Sequence, residues 1–217
     1  MEYRKNTNVI LYFDVSSLHS WITFESLVRY KCIGAINLNI QFVFLNGTSD
    51  PIDNKLFDQF NSTEEDGVIS DNVNEKAEFF GSQKMTHSNF NILRFLTAVS
   101  LLNNNHLIDI VSQIWNNIRD TNKNVYSYSG LKNIAAEVGI TDSNFTDIMK
   151  MSKSDEVMTL LKNNTNEAIN KNILSEPRIT FNNFHRKEIS IFGNSGLEKT
   201  LRLIHKEYIN KCQTSKL

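Results

Sequence analysis

Residues 9–21 read VILYFDVSSLHSW, and this stretch decides the fold. The apolar run at 9–13 predicts a strand that is buried on both faces of a sheet. Further along, four apolar residues recur at helical spacing: Trp21, Phe24, Leu27 and Val28. They predict an amphipathic helix that begins near Ser20. Ser17 and Ser20 therefore stand three residues apart at the mouth of a helix, directly after a buried strand.

The middle of the chain changes from strand to helix. Residues 36–44 alternate apolar and polar side chains, which predicts a strand with one face in water. From Thr86 to Asn172, segments with apolar residues three and four positions apart follow one another, and several begin on Ser, Thr, Asn or Asp. This texture predicts a block of capped helices.

The last part of the chain returns to strands and closes with a helix. Segments 178–181 and 188–192 predict a hairpin. Ser195 and Glu198 have the spacing of a capping box, which predicts that the last helix begins there.

The order of these elements is β-α-β, a helical block and β-β-α. It predicts an α/β protein with a thioredoxin-like fold and a large all-α insertion domain. We expect residues 1–55 to form the first part of the thioredoxin-like domain, 56–157 the helical insertion, and 158–217 the second part with a C-terminal targeting tail. In thioredoxin-like redox proteins the turn after the first strand carries Cys-x-x-Cys, whereas here Ser17 and Ser20 stand at that spacing.

Composition and charge exclude several classes of function. The 217 residues carry 23 basic and 24 acidic side chains, mixed along the chain, for a net charge of -1. No basic stripe marks a nucleic-acid partner, and no apolar run approaches the ~20 residues of a membrane span. The two cysteines, Cys32 and Cys212, are far apart and are interpreted as free thiols in a reducing compartment. The five histidines show no metal-ligand spacing, so we expect no metal site.

Localisation is predicted from the two ends of the sequence. The last three residues, Ser215, Lys216 and Leu217, form a receptor-read peroxisomal address. The opening stretch MEYRKNTN has no apolar region of a secretory signal and is too short for a transit peptide. We therefore expect a peroxisomal protein that binds the import receptor, in preference to a mitochondrial one.

Three places in such a fold offer groups for binding and chemistry, and the first is Ser17. The unpaired amides and the dipole at the helix N-terminus favour a negative group such as a thiolate, and the hydroxyl can donate to the sulfur. The alternative is that Ser17 or Ser20 only caps the helix. We favour the cap for Ser20, whereas the two roles are compatible for Ser17.

The other two places follow the helical block. In a thioredoxin-like fold the Glu176–Pro177 bond is expected to be cis, which turns the N–H and C=O of Glu176 outward to pair with a peptide backbone. The backbone amides of Asn194 and Ser195 offer a carboxylate site, with a plain cap as the alternative. A thiolate donor, a strand-like pair and a carboxylate site together fit a small peptide thiol, namely glutathione.

Residues 13–30, FDVSSLHSWITFESLVRY, resemble the opening motif of the kappa-class glutathione transferases, in the DsbA-like branch of thioredoxin folds. That motif reads roughly Y-D-V-x-S-P-Y-S-W followed by x-x-F-E-x-L-x-R-Y. The resemblance covers essentially the whole chain and is weakest at 56–85. It implies a homodimer with glutathione as co-substrate. Further matches are RFLTAVSLL at 94–102, QIW at 113–115, LKNIAAEVGIT at 131–141, KNNTNEAINKNILSEPRIT at 162–180 and FGNSGLEKTL at 192–201.

The resemblance also implies roles for individual residues. Ser17 matches the catalytic serine that holds the glutathione thiolate. Two positions depart from the family pattern, since Ser195 replaces an Asp that would meet the γ-glutamyl ammonium group and Glu176 replaces a Leu. The implied glutathione-binding residues are Ser17, Leu18, His19, Asn54, Lys55, Glu176, Asn194 and Ser195.

The predicted function is conjugation of the glutathione thiolate to small electrophiles, with glutathione-dependent peroxidase activity as a related reaction. Two alternatives stay open. One is a glutathione-dependent cis-trans isomerase of the 2-hydroxychromene-2-carboxylate type. The other is a divergent, non-catalytic glutathione-binding protein, which the departures at Glu176 and Ser195 favour. A disulfide oxidoreductase is rejected on chemical grounds, because exchange needs an attacking thiolate and residues 17–20, SLHS, supply no thiol.

Overall fold

The computed structural model describes residues 7–15, 17–44, 87–119, 125–171, 173, 178–182 and 188–214. Contacts divide the chain into two compact units, which we call the sheet unit (Met1–Phe13, Ser17–Gln41 and Glu176–Leu217) and the helical unit (Asp14–Ser16 and Phe42–Ser175). In chain order the described elements are β1 (Thr7–Phe13), α1 (Leu18–Cys32), β2 (Ile36–Phe42), α2 (His87–Leu102), a 3₁₀ turn (Asn104–His106), α3 (Leu107–Arg119), α4 (Tyr128–Glu137), α5 (Asp142–Ser152), α6 (Asp155–Asn170), β3 (Arg178–Asn182), β4 (Glu188–Phe192) and α7 (Gly193–Thr214).

The sheet has the strand order β2-β1-β3-β4. Strand β3 runs antiparallel to β1, with Leu11 opposite Ile179, and antiparallel to β4, with Ile179 opposite Ile191. Helix α1 packs against β1 and α7, and α7 also packs on β3 and β4. The predicted β-α-β start, the hairpin and the closing helix of a thioredoxin-like fold are confirmed.

The first strand carries the core of the sheet unit. Leu11, Tyr12 and Phe13 are all fully buried, so both faces of β1 are covered, as its continuous apolar sequence predicted. The rings of Phe13 and Phe24 meet edge to face with their centroids 5.9 Å apart, which ties α1 to the end of β1.

The closing helix begins earlier than its sequence predicted. Helix α7 starts at Gly193, directly after β4, so the predicted start at Ser195 was wrong. The carboxylate of Glu198 contacts a residue one turn further along, since its Oε1 accepts a hydrogen bond from Arg202 Nη2 at 2.6 Å. The backbone of Ser195 therefore lies inside the first turn of α7.

Helix α2 is the central element of the helical unit and packs against α3, α5 and α6. Residues 92–99 are all buried, which is the pattern of a helix covered on every side. Arg94 is buried among them, and its Nε donates a hydrogen bond to Ser152 O at 2.7 Å, at the C-terminal end of α5. Its guanidinium carbon also lies 5.8 Å from the centroid of the Phe90 ring. The predicted block of helices between Thr86 and Asn172 is confirmed within the described ranges.

Three helices of the helical unit begin with hydroxyl caps, as predicted. The side chains of Ser127, Thr141 and Ser154 each accept a hydrogen bond from the backbone N–H three residues further on, at 3.0, 3.3 and 3.3 Å. Ser154 also donates to Met151 Sδ at 3.3 Å, and Ser127 Oγ shares a hydrogen bond with Ser129 Oγ at 3.1 Å. A capping serine in this protein can therefore accept from its helix and donate to a sulfur at once.

Helix α6 belongs to the helical unit, although the sequence placed most of it in the range 158–217 of the thioredoxin-like domain. It packs against α2 and α5, and Thr165 Oγ1 accepts a hydrogen bond from Phe44 N–H at 3.0 Å. None of the helices in the described ranges has the length and apolar character that crossing a membrane requires.

Candidate functional site

The turn between β1 and α1 places Ser17 at the N-cap of α1. Its backbone is extended, with φ -103° and ψ 118°, so the chain leaves the strand and enters the helix at this residue. Ser17 Oγ accepts a hydrogen bond from Ser20 N–H at 3.2 Å, and Ser17 O accepts one from Trp21 N–H at 3.3 Å. Two of the amides in the first turn are therefore satisfied by Ser17 alone.

The cap uses only part of the hydrogen-bonding capacity of Ser17. A serine hydroxyl has one O–H donor and two acceptor lone pairs, and the bond from Ser20 N–H occupies one lone pair. Among the described residues, Ser17 donates to no acceptor, and its side chain is half-buried. The hydroxyl can therefore donate to an incoming group without giving up the cap.

The N-terminus of α1 also favours a negative group electrostatically. The N–H of Leu18, the first residue of the helix, has no acceptor within the helix because of its position. No acidic side chain lies in the first turn, while the last turn carries Arg29 and Lys31. The partial positive charge of the helix end is therefore not neutralised by a carboxylate of α1, and an anion such as a thiolate can take that place.

Ser20 does not cap α1, and the prediction that it does was wrong. The helix begins at Leu18, so Ser20 lies inside the first turn, where its side chain is fully buried. Its Oγ has no hydrogen-bond partner among the described residues. The signal for this placement is present in the sequence, because the buried residues of α1 are Ser20, Thr23, Phe24 and Leu27, spaced i, i+3, i+4 and i+7.

Leu18 and His19 flank Ser17 on the first turn of α1. Leu18 is exposed, with 43% of its side-chain surface accessible, and Ile22 on the same face one turn later is 42% exposed. His19 is half-buried. The residues next to the Ser17 hydroxyl thus present a mainly apolar, accessible surface and one imidazole.

The structure gives no side-chain contacts for the other residues of the predicted site. Asn54, Lys55, Glu176 and Pro177 lie outside the described residues, as do Ser215, Lys216 and Leu217. The backbone of Asn194 and Ser195 lies in the first turn of α7. The structure therefore brings together Ser17, Leu18 and His19, and the other assignments stay predictions. In the described part of the chain, no group of three or more His, Cys, Asp or Glu side chains is placed to hold a metal ion.

The family of the chain follows from comparison with known proteins. Residues 8–205 match the DSBA-like thioredoxin domain. The chain belongs to this family. Its four-stranded sheet with a serine-capped first helix and a helical unit between β2 and β3 is thus a DsbA-like fold.

Curated relatives support the resemblance to the kappa class that the sequence indicates. Glutathione S-transferase kappa 2 from Caenorhabditis elegans is 22% identical over 200 residues, which covers 87% of this chain and 88% of the relative. Glutathione S-transferase kappa 1 from Homo sapiens is 22% identical over 209 residues, which covers 93% of this chain and 92% of the relative. These matches span nearly the whole chain.

Solved structures support the fold of this DsbA-like member. A candidate protein disulfide isomerase from Nitrosomonas europaea superposes with a TM-score of 0.60 at 16% identity, over 95% of this chain and 99% of the other. The thiol-disulfide exchange protein alpha-DsbA2 from Wolbachia pipientis superposes with a TM-score of 0.55 at 12% identity, over 93% of this chain and 83% of the other. At these identities the likeness concerns the fold alone.

Proposed function

We propose that this protein is a glutathione transferase in which Ser17 stabilises the thiolate of bound glutathione for attack on small electrophiles. The observation that carries the proposal is the state of the Ser17 hydroxyl. It accepts from Ser20 N–H at 3.2 Å, lies half-buried at a helix N-terminus, and donates its O–H to no acceptor among the described residues. The kappa-class names of its curated relatives agree with this chemistry.

The proposed role of Ser17 is to favour ionisation of the thiol. A free thiol has a pKa of ~8.5 and is mostly protonated at neutral pH. A hydrogen bond to a charged group contributes ~1.5–3 kcal/mol, which corresponds to a decrease of about one to two units in the pKa of the bound thiol. The Leu18 N–H and the dipole of α1 act in the same direction.

The reaction then needs no covalent bond to the protein. The thiol loses its proton to solvent as glutathione binds, and the sulfur lone pair attacks the electrophilic carbon. A carbon–sulfur bond forms, and the leaving group departs with the electron pair of its former bond. Ser17 keeps its own proton throughout, so it acts as a hydrogen-bond donor and not as a nucleophile.

A cap that also donates to sulfur has a precedent in the same molecule. Ser154 accepts the Val157 N–H at 3.3 Å while it donates to Met151 Sδ at 3.3 Å. The two bonds do not compete, because one uses a lone pair and the other uses the O–H. The hydrogen-bonding capacity of Ser17 therefore allows the same combination, with a thiolate in place of the thioether.

We do not propose disulfide exchange, although one similar solved structure is named a thiol-disulfide exchange protein. Exchange needs an attacking thiolate, and both positions of the first turn that could carry one are serines. The cysteine of α1, Cys32, lies in its last turn, at the opposite end of the helix from Ser17.

Calorimetry with glutathione, followed by turnover with glutathione and an aryl halide, tests the proposal. A transferase binds glutathione and forms the thioether conjugate at a rate that depends on enzyme concentration. Binding without conjugation would favour the non-catalytic binding protein, and turnover of an isomerase substrate alone would favour the isomerase. No heat of binding and no conjugation would contradict the proposal.

A further inference from the structure

Ser20 carries a buried hydroxyl that makes no hydrogen bond to any described residue. Its side chain is 0% exposed, and its Oγ has no partner among the described residues. Buried hydroxyls in folded proteins are nearly always paired, because an unmade hydrogen bond of a desolvated group is unfavourable. Because the Ser20 hydroxyl lies three residues from Ser17, we consider a hydrogen bond that it forms only in another state of the site, such as the ligand complex.

Helical hydroxyls elsewhere in the described chain follow a different pattern. Ser26, Thr97 and Thr165 each donate to the backbone C=O four residues earlier, at 2.7 to 2.8 Å. The corresponding residue for Ser20 would be position 16, which precedes the cap and lies outside α1. Ser20 therefore has no residue of α1 four positions before it, whereas the three other hydroxyls donate to a carbonyl within their own helix.

Side chains in the first turn of a helix can reach back toward the cap residue, which for Ser20 is Ser17. The Cα–Cβ bond of a helical residue tilts toward the helix N-terminus, and a side chain three positions after the cap reaches back to the cap residue, as in a capping box. The backbone N–H of Ser20 already contacts Ser17 Oγ at 3.2 Å. The second lone pair of Ser17 Oγ is thus an acceptor for the Ser20 hydroxyl if binding of the ligand changes the χ1 rotamer of Ser20, whose Oγ does not pair with Ser17 in this structure.

We propose that Ser20 is a positioning residue, and that in the glutathione complex its hydroxyl donates to Ser17 Oγ. Both lone pairs of Ser17 are then engaged from within the helix, so its O–H must point toward the bound sulfur. A donor that itself accepts hydrogen bonds is also polarised and becomes a stronger donor. Because Ser20 is fully buried, it acts through Ser17 and does not touch the ligand. This inference rests on the proposed function.

The test is a titration of thiolate absorbance with bound glutathione in the wild type, Ser20→Ala, Ser20→Thr and Ser26→Ala. Loss of the polarising bond should raise the pKa of the bound thiol in Ser20→Ala and reduce turnover about two- to fourfold at neutral pH. The loss should disappear at alkaline pH, where the thiol ionises without help. The denaturant midpoint of Ser20→Ala should equal or exceed that of the wild type, because the substitution removes an unpaired buried hydroxyl.

Two controls separate positioning from structure. Ser20→Thr keeps the hydroxyl and should restore the wild-type pH profile, while Ser26→Ala removes a hydroxyl from the same helix and should leave that profile unchanged. A Ser20→Ala protein whose bound thiol titrates like the wild type overturns the inference, and so does a lower midpoint without a shift in that titration.

Failure of the inference differs from failure of the proposed function. If Ser17→Ala raises the pKa of the bound thiol and Ser20→Ala does not, only the role of Ser20 is overturned. If the wild type binds no glutathione, the proposed function fails, and the role of Ser20 is overturned with it.

Discussion

The capping hydroxyls of the helical unit differ from the cap of α1 in what their O–H groups do. Ser154 donates to Met151 Sδ at 3.3 Å, Ser127 shares a hydrogen bond with Ser129, and Thr141 is exposed to water. Ser17 caps its helix with the same geometry, yet it is half-buried and has no acceptor for its O–H among the described residues. The same motif can therefore serve stability alone, or serve stability and leave a donor for a ligand.

Buried polar side chains can be paired or unpaired in either unit, since Asn166 Oδ1 of the helical unit also has no hydrogen-bond partner among the described residues. In the helical unit, Arg94 Nε donates to Ser152 O at 2.7 Å, and Thr165 donates to Leu161 O at 2.7 Å. In the sheet unit, the buried Ser20 Oγ has no partner among the described residues. A hydroxyl at a helix N-terminus with an unused O–H donor distinguishes a candidate site from an ordinary cap. Neither the spacing of the serines in the sequence nor their burial makes this distinction alone.

Of the substitutions considered, Ser17→Asp should reduce turnover the most. If it does not, the cap of α1 does not differ in function from the caps of the helical unit. Aspartate keeps a cap acceptor for Ser20 N–H, but it removes the O–H donor and places a negative charge beside the thiolate. We expect turnover with glutathione and an aryl halide to fall about a hundredfold or more. An increase of about two units in the pKa of the bound thiol lowers the thiolate fraction by that factor. The matched substitution Ser154→Asp, at a cap of the helical unit, should leave turnover unchanged. Equal turnover of Ser17→Asp and the wild type would contradict the role of Ser17.

Thr165→Val tests a hydroxyl that we regard as purely structural. It leaves the buried N–H of Phe44 without its acceptor at 3.0 Å and should lower the free energy of unfolding by about 2 kcal/mol. Urea denaturation measures the loss, and Thr165→Ser, which keeps the hydroxyl, is the control. A change in the pKa of the bound glutathione thiol in this variant would show that the Thr165 hydroxyl also affects the thiol site and is not purely structural.

Ser154→Ala should remove a cap whose two bonds are both internal to the helical unit. We expect a loss of about 1 kcal/mol in the free energy of unfolding and no change in turnover. Chemical denaturation and the conjugation assay on the same preparation give both quantities. Reduced turnover of the folded variant would show that caps of the helical unit also affect the thiol site.

Thr141→Ala should have the smallest effect. The Thr141 hydroxyl accepts the Asn144 N–H at 3.3 Å and is exposed, so water can replace it at the helix end. The expected loss in the free energy of unfolding is about 0.5 kcal/mol, at the low end for a cap. A loss larger than that of Ser154→Ala would mean that exposure does not rank these caps.

Much of the fold could be predicted because hydrophobic periodicity reports burial directly. The apolar run of β1 and the apolar residues three and four positions apart in the helical block each predicted the element that the structure has. Helix starts were harder, since two serines three residues apart allow two caps. Only the extended backbone of Ser17 and the burial of Ser20 decide between them. At α7 the spacing of Ser195 and Glu198 predicted a start at Ser195, whereas the helix begins at Gly193.

The candidate site could be predicted only where it is local in sequence. Ser17, Leu18 and His19 are consecutive, so their proximity follows from the chain itself. The orphaned hydroxyl of Ser20 could not be predicted, because whether a buried group finds a partner depends on tertiary packing.

The proposal that Ser17 stabilises the thiolate of bound glutathione is best tested by the pKa of the thiol bound to the wild type and to Ser17→Ala. Titration of the thiolate absorbance of each complex gives both values, with free glutathione as the reference at ~8.5. We expect a wild-type pKa well below the reference and a Ser17→Ala pKa about one to two units above that of the wild type. If both complexes form and titrate at the same pH, Ser17 does not stabilise the thiolate and the account is wrong.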